Sequence, residues 1–348
     1  MAIDIIAAQG EGFSISIISQ QIKEMFEADG HEVFWELDSA RTFKHAHKNI
    51  VICTQPNALV RLLAEPFTMS PRLILSILLS NWEEHTPWIR KAYLAAVLDG
   101  KNSSTPLVTI VHSQHTYDMM LKDARQWFSP SNVQHVAQNL ILELFGVGDE
   151  FDTDWKNDPD KLIVPYNRIV QSQKNLDLHV KTSRQYAVLA EQKGYPVKAH
   201  DFLHAPAYDP AKIAEEKEIG ADVYSFRPQY KGRQEMADGV RQYGMFLSTS
   251  MFESFGIYYL ELLKSGVVGV FLDRPWVQKL LPKYPYVARA ENLTAMMLEV
   301  RAHYEDAQIE LKNYVIPEIK HRYSLTRFMA RVKDVAYTKA RPEKESQA

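Results

Sequence analysis

The chain is poor in features that would staple it, anchor it or give it a one-signed field. Its 348 residues include a single cysteine, Cys53, so no disulfide can close within the chain. A lone small thiol in an apolar run fits a buried strand residue and a reducing, cytoplasmic compartment. Long apolar runs are missing too. The longest, Leu73 to Leu79, is far shorter than the roughly 20 residues that cross a bilayer. The opening Met1 to Ala8 has no basic region ahead of its apolar residues and reads as a first strand rather than a signal peptide. Forty basic residues stand against 43 acidic ones, a net charge of −3, so there is no global field for tight non-specific nucleic-acid binding. Local basic patches stay open. No internal repeat and no low-complexity tract appears, and nothing marks an obligate protein partner.

What is present is an ordinary globular composition, 46% hydrophobic and 24% charged, at a length that suits two domains of about 150 to 200 residues. The stretch that organises the rest runs from Ser250 to Val268. A β-leaning run, Met245 to Leu247, ends in small hydroxyl residues. Glu253 and Glu261 follow, eight positions apart around Gly256, and a short helix closes at Gly266 before a second strand, Val267–Leu272. This unit puts a helix N-terminus at the carboxyl edge of a parallel sheet, where unpaired N–H groups and a partial positive charge favour phosphate. Glu253 is expected in the loop and Glu261 about two turns into the helix, so that one carboxylate can face a sugar and the other a ribose hydroxyl pair.

Around this stretch the chain alternates strand and helix. Ile3–Ala8 runs into Gln9-Gly10-Glu11-Gly12 and an amphipathic helix ending at Asp29-Gly30. His31–Trp35 is the next strand, a βαβ opening with two of three fingerprint glycines. Arg41–Lys48 is the most basic segment of the first half. It reads either as a solvated loop before strand Ile50–Cys53 or as a phosphate-contacting patch through Arg41, Lys44 and His45. His45 and His47 find no third ligand nearby, so no metal site is assigned. Trp82 and Trp88 lie on a loop before helix Ile89–Leu98, as ring platforms or core anchors. Leu107–Val111 is a strand ending in His112-Ser113-Gln114-His115, which puts a histidine where open α/β folds bind ligands. Arg125–Asn132 reads as a strand and serine cap before a helix, Val133–Phe145, and Asp149–Asp160 reads as a linker. Beyond it come strand Leu162–Val164, helix Leu178–Ala190, strand Val197–Phe202, a strand within Asp222–Pro228 and helix Gln234–Tyr243. Pro317 interrupts a long helical run ahead of a last helix, Leu325–Ala336.

Taken together, the two glutamates with Phe255-Gly256 between them and Lys264-Ser265-Gly266-Val267 after them resemble the donor-site signature of retaining glycosyltransferases with two Rossmann-like domains, the GT-B architecture. The resemblance implies an α/β fold of two such domains with an interdomain cleft and a C-terminal helix crossing back to the first. It places domain limits at 1–157 (acceptor), 158–316 (nucleotide sugar) and 317–348 (helix and tail). It implies a UDP-sugar donor and no required metal. Glu253 would face the sugar, the amides of Ser254, Phe255, Gly256 and Ile257 the diphosphate, and Glu261 the ribose. Gly10 and Gly12 would line the cleft. Arg168 and Lys174 resemble the family's pair of cations on the diphosphate, one residue further apart than its commonest form. Arg227 falls on the strand that carries base contacts. His112, with His115 as runner-up, would hydrogen-bond the donor sugar. The family's alanine-rich stretch after the motif is Leu262-Leu263-Lys264 here.

The first 50 residues, with Gly30-His31-Glu32-Val33 and the Arg41–Lys48 segment, resemble phage DNA α-glucosyltransferases, which glycosylate hydroxymethylated pyrimidines in duplex DNA. That resemblance implies double-stranded DNA as acceptor, contacted by Arg41, Lys44, His45 and His115. Glycan, lipid and small-molecule acceptors are the alternative, as is a sugar-nucleotide binder without transfer.

Overall fold

The structure, a computed structural model, describes residues 2–7, 13–37, 50–54, 59–60, 73–78, 82–99, 106–152, 154–166, 171–204, 218, 220, 222–228, 230, 232–253 and 255–340. It divides into two compact units, Met1–Phe145 with Leu325–Ala348, and Gly146–Ser324.

The first unit runs β1 (Ala2–Ala7), α1 (Phe13–Ala28), β2 (Glu32–Leu37), β3 (Ile50–Cys53) and β4 (Leu73–Leu78), then a 3-10 turn at Trp82–Glu84 and α2 (Pro87–Asp99). It continues with β5 (Leu107–Val111), α3 (Gln114–Trp127), α4 (Pro130–Asn139) and β6 (Leu140–Leu142). The strands form a parallel sheet in the order β2-β1-β3-β4-β5-β6. Every residue of β3, β4 and β5 is buried, as continuous apolar runs covered on both faces require. The two hydroxyls that interrupt those runs are satisfied by one phenol: Tyr93 Oη lies 2.6 Å from Ser76 Oγ and 3.0 Å from Thr109 Oγ1.

The second unit runs β7 (Asp158–Val164), α5 (Gln171–Lys174), α6 (Leu176–Gln192), β8 (Ala199–His204), β9 (Ser225–Pro228), α7 (Arg233–Val240) and β10 (Tyr243–Ser248). It goes on through α8 (Ile257–Lys264), β11 (Val268–Leu272), α9 (Pro275–Leu280), β12 (Val287–Ala288), α10 (Leu293–Ala302), α11 (Tyr304–Glu310) and α12 (Ile316–Arg322). Its parallel sheet has the order β12-β11-β10-β7-β8-β9. From β7 the chain moves outward in one direction through β8 and β9, then returns to lay β10 on the other side of β7 and moves outward again. The reversal between β7 and β10 is a topological switch point, and the carboxyl ends of those two strands frame its crevice. The last helix, α13 (Leu325–Lys339), belongs to the first unit. Its Phe328 meets Phe145 edge to face at 5.0 Å, and Lys333 and Tyr337 both bind Asp29 at the end of α1, each at 2.8 Å.

Three sequence expectations are corrected. The helix expected over Val133–Phe145 ends at Asn139, because Leu140, Ile141 and Leu142 pair in register with Thr109, Ile110 and Val111 as a sixth strand. The strand expected ahead of that helix is the last turn of α3, held by Trp127, whose ring lies 5.8 Å from the Arg90 guanidinium. Pro317 does not break a helix. It sits in the first turn of α12, directly after a π turn at Leu311–Val315, and the backbone stays helical through the change from π to α.

Because Phe328 is fully buried in the first unit, Phe328→Ala should cost that unit about 3–5 kcal/mol. Calorimetry should show the first unit's transition lowered and the second unit's unmoved; an equal fall in both would contradict this division.

Candidate active site at the carboxyl edge of the second sheet

After β10 the chain leaves the sheet through Thr249 and Ser250, and after β7 through Pro165 and Tyr166. Side chains from these two exits interlock. Tyr166 Oη accepts the Thr249 backbone N–H at 2.8 Å, and Thr249 Oγ1 donates to the Lys174 carbonyl at 2.7 Å. The Met251 N–H donates to the Gln173 carbonyl at 2.8 Å, and Gln173 Nε2 returns to the Phe252 carbonyl at 3.3 Å. The turn that carries Lys174 is thereby sewn to the loop that carries Glu253.

Between them sits a buried ion pair. Lys174 Nζ donates to Glu253 Oε1, and the two side chains are 12% and 9% exposed. The same carboxylate oxygen accepts from Tyr259 Oη at 2.8 Å, and Ser250 Oγ lies 2.8 Å from that phenol. Lys174 also stands 5.3 Å above the centre of the Tyr166 ring. Tyr259 is fixed by stacking on Trp276 at 5.3 Å, and Trp276 Nε1 donates to the Ser250 carbonyl at 3.1 Å. Burial, reinforced by the Glu253 charge, pushes the Tyr259 phenol well above its ordinary value, so it remains a donor at neutral pH.

The loop then enters α8 at Gly256, whose φ of 72° is the left-handed conformation that glycine tolerates. A Cβ there would stand 2.7 Å from the Tyr259 ring and 3.2 Å from Leu280. The Tyr259 N–H turns to the Gly256 carbonyl at 3.1 Å, and the amides of Ile257 and Tyr258 have no partner within the helix. Gly256 therefore starts α8 close against Tyr259, the phenol that binds Glu253. The Phe255 ring is buried against Tyr323 at 5.5 Å, so it anchors the loop. Glu261 is the fifth residue of α8, one turn into the helix rather than two, because the helix starts only after Gly256.

Glu261 is nearly sealed from water and accepts from Arg233 Nη1 at 3.0 Å. Arg233, the first residue of α7, also pairs with Glu150 and lies 5.2 Å from the Phe151 ring. Burial pushes the Glu261 carboxyl up to about 7, Arg233 pulls it down, and Glu150 adds to the rise. Arg227 stands on the outermost strand, β9, with its guanidinium 3.2 Å from the buried Asp201.

The two histidines lie at the carboxyl edge of the other sheet, in the first unit. His112 is buried just past β5, and desolvation pushes it down to about 4 against an opposing backbone hydrogen bond with Leu78. It is neutral at pH 7. His115, one turn into α3, pairs with Glu83 at 3.3 Å, a contact that holds the Glu83 carboxyl below its usual range. Arg168, Ser254, Gly10, Gly12, Arg41, Lys44 and His45 lie outside the described residues. Among the described residues no three His, Cys, Asp or Glu side chains gather where they could hold a metal, and no helix is long and apolar enough to cross a membrane.

The structure thus brings Lys174, Glu253, Gly256 and Ile257 together at the switch point and gives Glu261 an arginine partner. Sequence reading missed Tyr166, Thr249, Tyr259 and Arg233. The signal for the first two was available: polar or phenolic residues immediately past a buried parallel strand.

Comparison with solved structures agrees with this architecture. Anabaena HepE, solved with UDP-glucose, matches at a TM-score of 0.70 and 10% identity over 97% of this chain and 100% of its own. The fold is that of the GT-B glycosyltransferases. A sucrose-phosphate synthase from Thermosynechococcus elongatus matches at 0.67 and 12% identity, covering 97% of this chain and 98% of its own. Staphylococcus aureus TarM, solved with UDP, matches at 0.59 and 12% identity over 83% of this chain, which spans 55% of TarM's length. No family model matches the sequence, and no curated protein matches it. At such identities the likeness is one of fold.

A buried acid raised above its unfolded value favours the fold when protonated. Its contribution is complete below about pH 4.5 and is lost as pH rises through about 7. Glu261→Gln should therefore gain on wild type by about 1–3 kcal/mol at pH 8 and by almost nothing at pH 4.5. Melting curves at the two pH values check this; a difference independent of pH contradicts it.

Proposed function

We propose that the protein transfers a sugar from a nucleotide-sugar donor, a UDP-sugar, to a hydroxyl acceptor with retention at the anomeric carbon. The observation that carries this is the meeting of Lys174, Glu253 and the Gly256–Ile257 amides at the switch point of a Rossmann-like sheet. In such a transfer the bond from the anomeric carbon to the phosphate oxygen breaks with its electron pair going to that oxygen, the acceptor oxygen bonds to the anomeric carbon on the same face, and the acceptor's proton passes to the departing phosphate oxygen and on to water. Fixed cations and amides aimed at that oxygen stabilise the charge as it forms. Lys174 and Arg168 would supply the cations, and the start of α8 the amides. Glu253, held by Tyr259 and Lys174, accepts from sugar hydroxyls and fixes the ring. Glu261 receives the ribose hydroxyls, so Arg233 shares it with them. The UDP-glucose bound by HepE supports the choice of nucleotide.

For the acceptor we propose a 5-hydroxymethylated pyrimidine in double-stranded DNA, acted on in the cytoplasm of a phage-infected cell. Sequence alone supports this part, through the Gly10–Gly12 opening and the basic run from Arg41 to Lys48. A base in a duplex is reached by flipping, or directly where its hydroxymethyl group stands in the major groove.

Incubation with UDP-sugars and hydroxymethylated or plain DNA, followed by digestion to nucleosides and mass spectrometry, should show a hexose or pentose gain on the modified base alone. Donor turnover without that gain would contradict the DNA acceptor and leave the transfer chemistry standing. Glu253→Gln and Lys174→Gln should each lower kcat/KM for donor consumption by about 100-fold or more. Unchanged turnover in both would place the chemistry elsewhere.

A further inference from the structure

At this sheet edge Arg274 has no carboxylate partner among the described residues. It follows β11, the strand beside β10, and is half-buried. Its Nη2 lies 3.2 Å from the Met251 sulfur, a weak acceptor, and its Nε is buried with no acceptor among the described residues. No described carboxylate pairs with it. Desolvating a guanidinium without an ion pair costs stability, so the fold gains nothing from this placement.

The placement is nevertheless rigid. Pro275 fixes the backbone next to it, and two residues on Trp276 is tied to the Ser250 carbonyl and stacked on Tyr259, the phenol that binds Glu253. Met251 Sδ is approached from both sides: by Arg274 from the β11 side and by Asn175 Nδ2, at 3.7 Å, from the α5 side. Asn175 itself holds a left-handed φ of 51°, strain of the kind that clusters at working sites. Lys174 precedes it. The Met251 loop therefore has a cation on each flank. Lys174 is already neutralised by Glu253, whereas Arg274 is not.

We propose that Arg274 binds the diphosphate of the donor nucleotide, and that it adds a full positive charge beside Lys174, whose own charge is shared with Glu253. This rests on the nucleotide-sugar reading above. A planar guanidinium with free N–H groups suits a phosphate bidentately, and no existing ion pair has to break when the ligand arrives. Sequence inspection passes over Arg274 because an arginine in an Asp-Arg-Pro turn reads as surface charge.

Titration of the full chain with UDP and with uridine, for wild type, Arg274→Gln and Arg274→Lys, tests the assignment. Arg274→Gln should weaken UDP by about tenfold or more, leave uridine unchanged, and leave the nucleotide-free melting temperature equal to wild type or higher. Arg274→Lys should recover part of the UDP affinity. Equal UDP binding in wild type and Arg274→Gln overturns the assignment alone, as does parallel weakening of uridine or a lowered melting temperature, either of which marks a structural role. A wild type that takes up no UDP overturns the nucleotide-sugar reading and this assignment with it.

Discussion

The interaction on which the candidate site is built is the buried pair between Lys174 and Glu253. Two opposite charges taken out of water cost more than their attraction returns unless other donors satisfy the carboxylate. Here Tyr259 does so, backed by Ser250, while Tyr166 lies beneath the ammonium. The pair cannot form unless β7 and β10 are neighbours, because Lys174 comes from the exit of one strand and Glu253 from the exit of the other. The strand order is therefore a condition of the site, and the site is where that order reverses.

Around the pair lies an aromatic layer that limits its motion. Tyr259 packs on Phe246 and Trp276, meets Phe271 and Tyr166 edge-on, and Trp276 reaches the Ser250 carbonyl. Gly256 completes the arrangement: its left-handed turn starts α8 close against the ring of Tyr259, whose hydroxyl binds Glu253. The opposite end of α8 is equally fixed. Gly266, at φ 81°, lies against Trp155 and Asn157, whose side chains would occupy the place of a Cβ. An element whose two ends are set by backbone conformations that favour glycine presents its N-terminus in one direction only.

Much of this was legible in the residues. The buried strands announced themselves as apolar runs, and Glu253, Gly256 and Glu261 stood out because strand, hydroxyl-rich exit, glycine and helix follow in that order. Less was legible where partners are distant in sequence. Lys264 is buried and donates to the Gly148 carbonyl, 116 positions away, at 2.9 Å, a partner no local pattern shows. The strand Leu140–Leu142 is invisible locally because it follows α4 without a turn residue and exists only through pairing with β5. Arg233 gives no local signal because its partners Glu150 and Glu261 come from the chain's linker and from α8. Periodicity reports which face is buried; it does not report what meets a charge across the fold.

The role proposed for the second unit depends on where a nucleoside diphosphate binds. A crystal structure of the full chain with UDP tests this most directly. The diphosphate is expected within hydrogen-bond reach, about 3 Å, of Lys174 Nζ and the Ile257 amide at the carboxyl edge of β7 and β10. Nucleotide bound at any other place on the chain, with the Lys174–Glu253 pair left untouched, would contradict it.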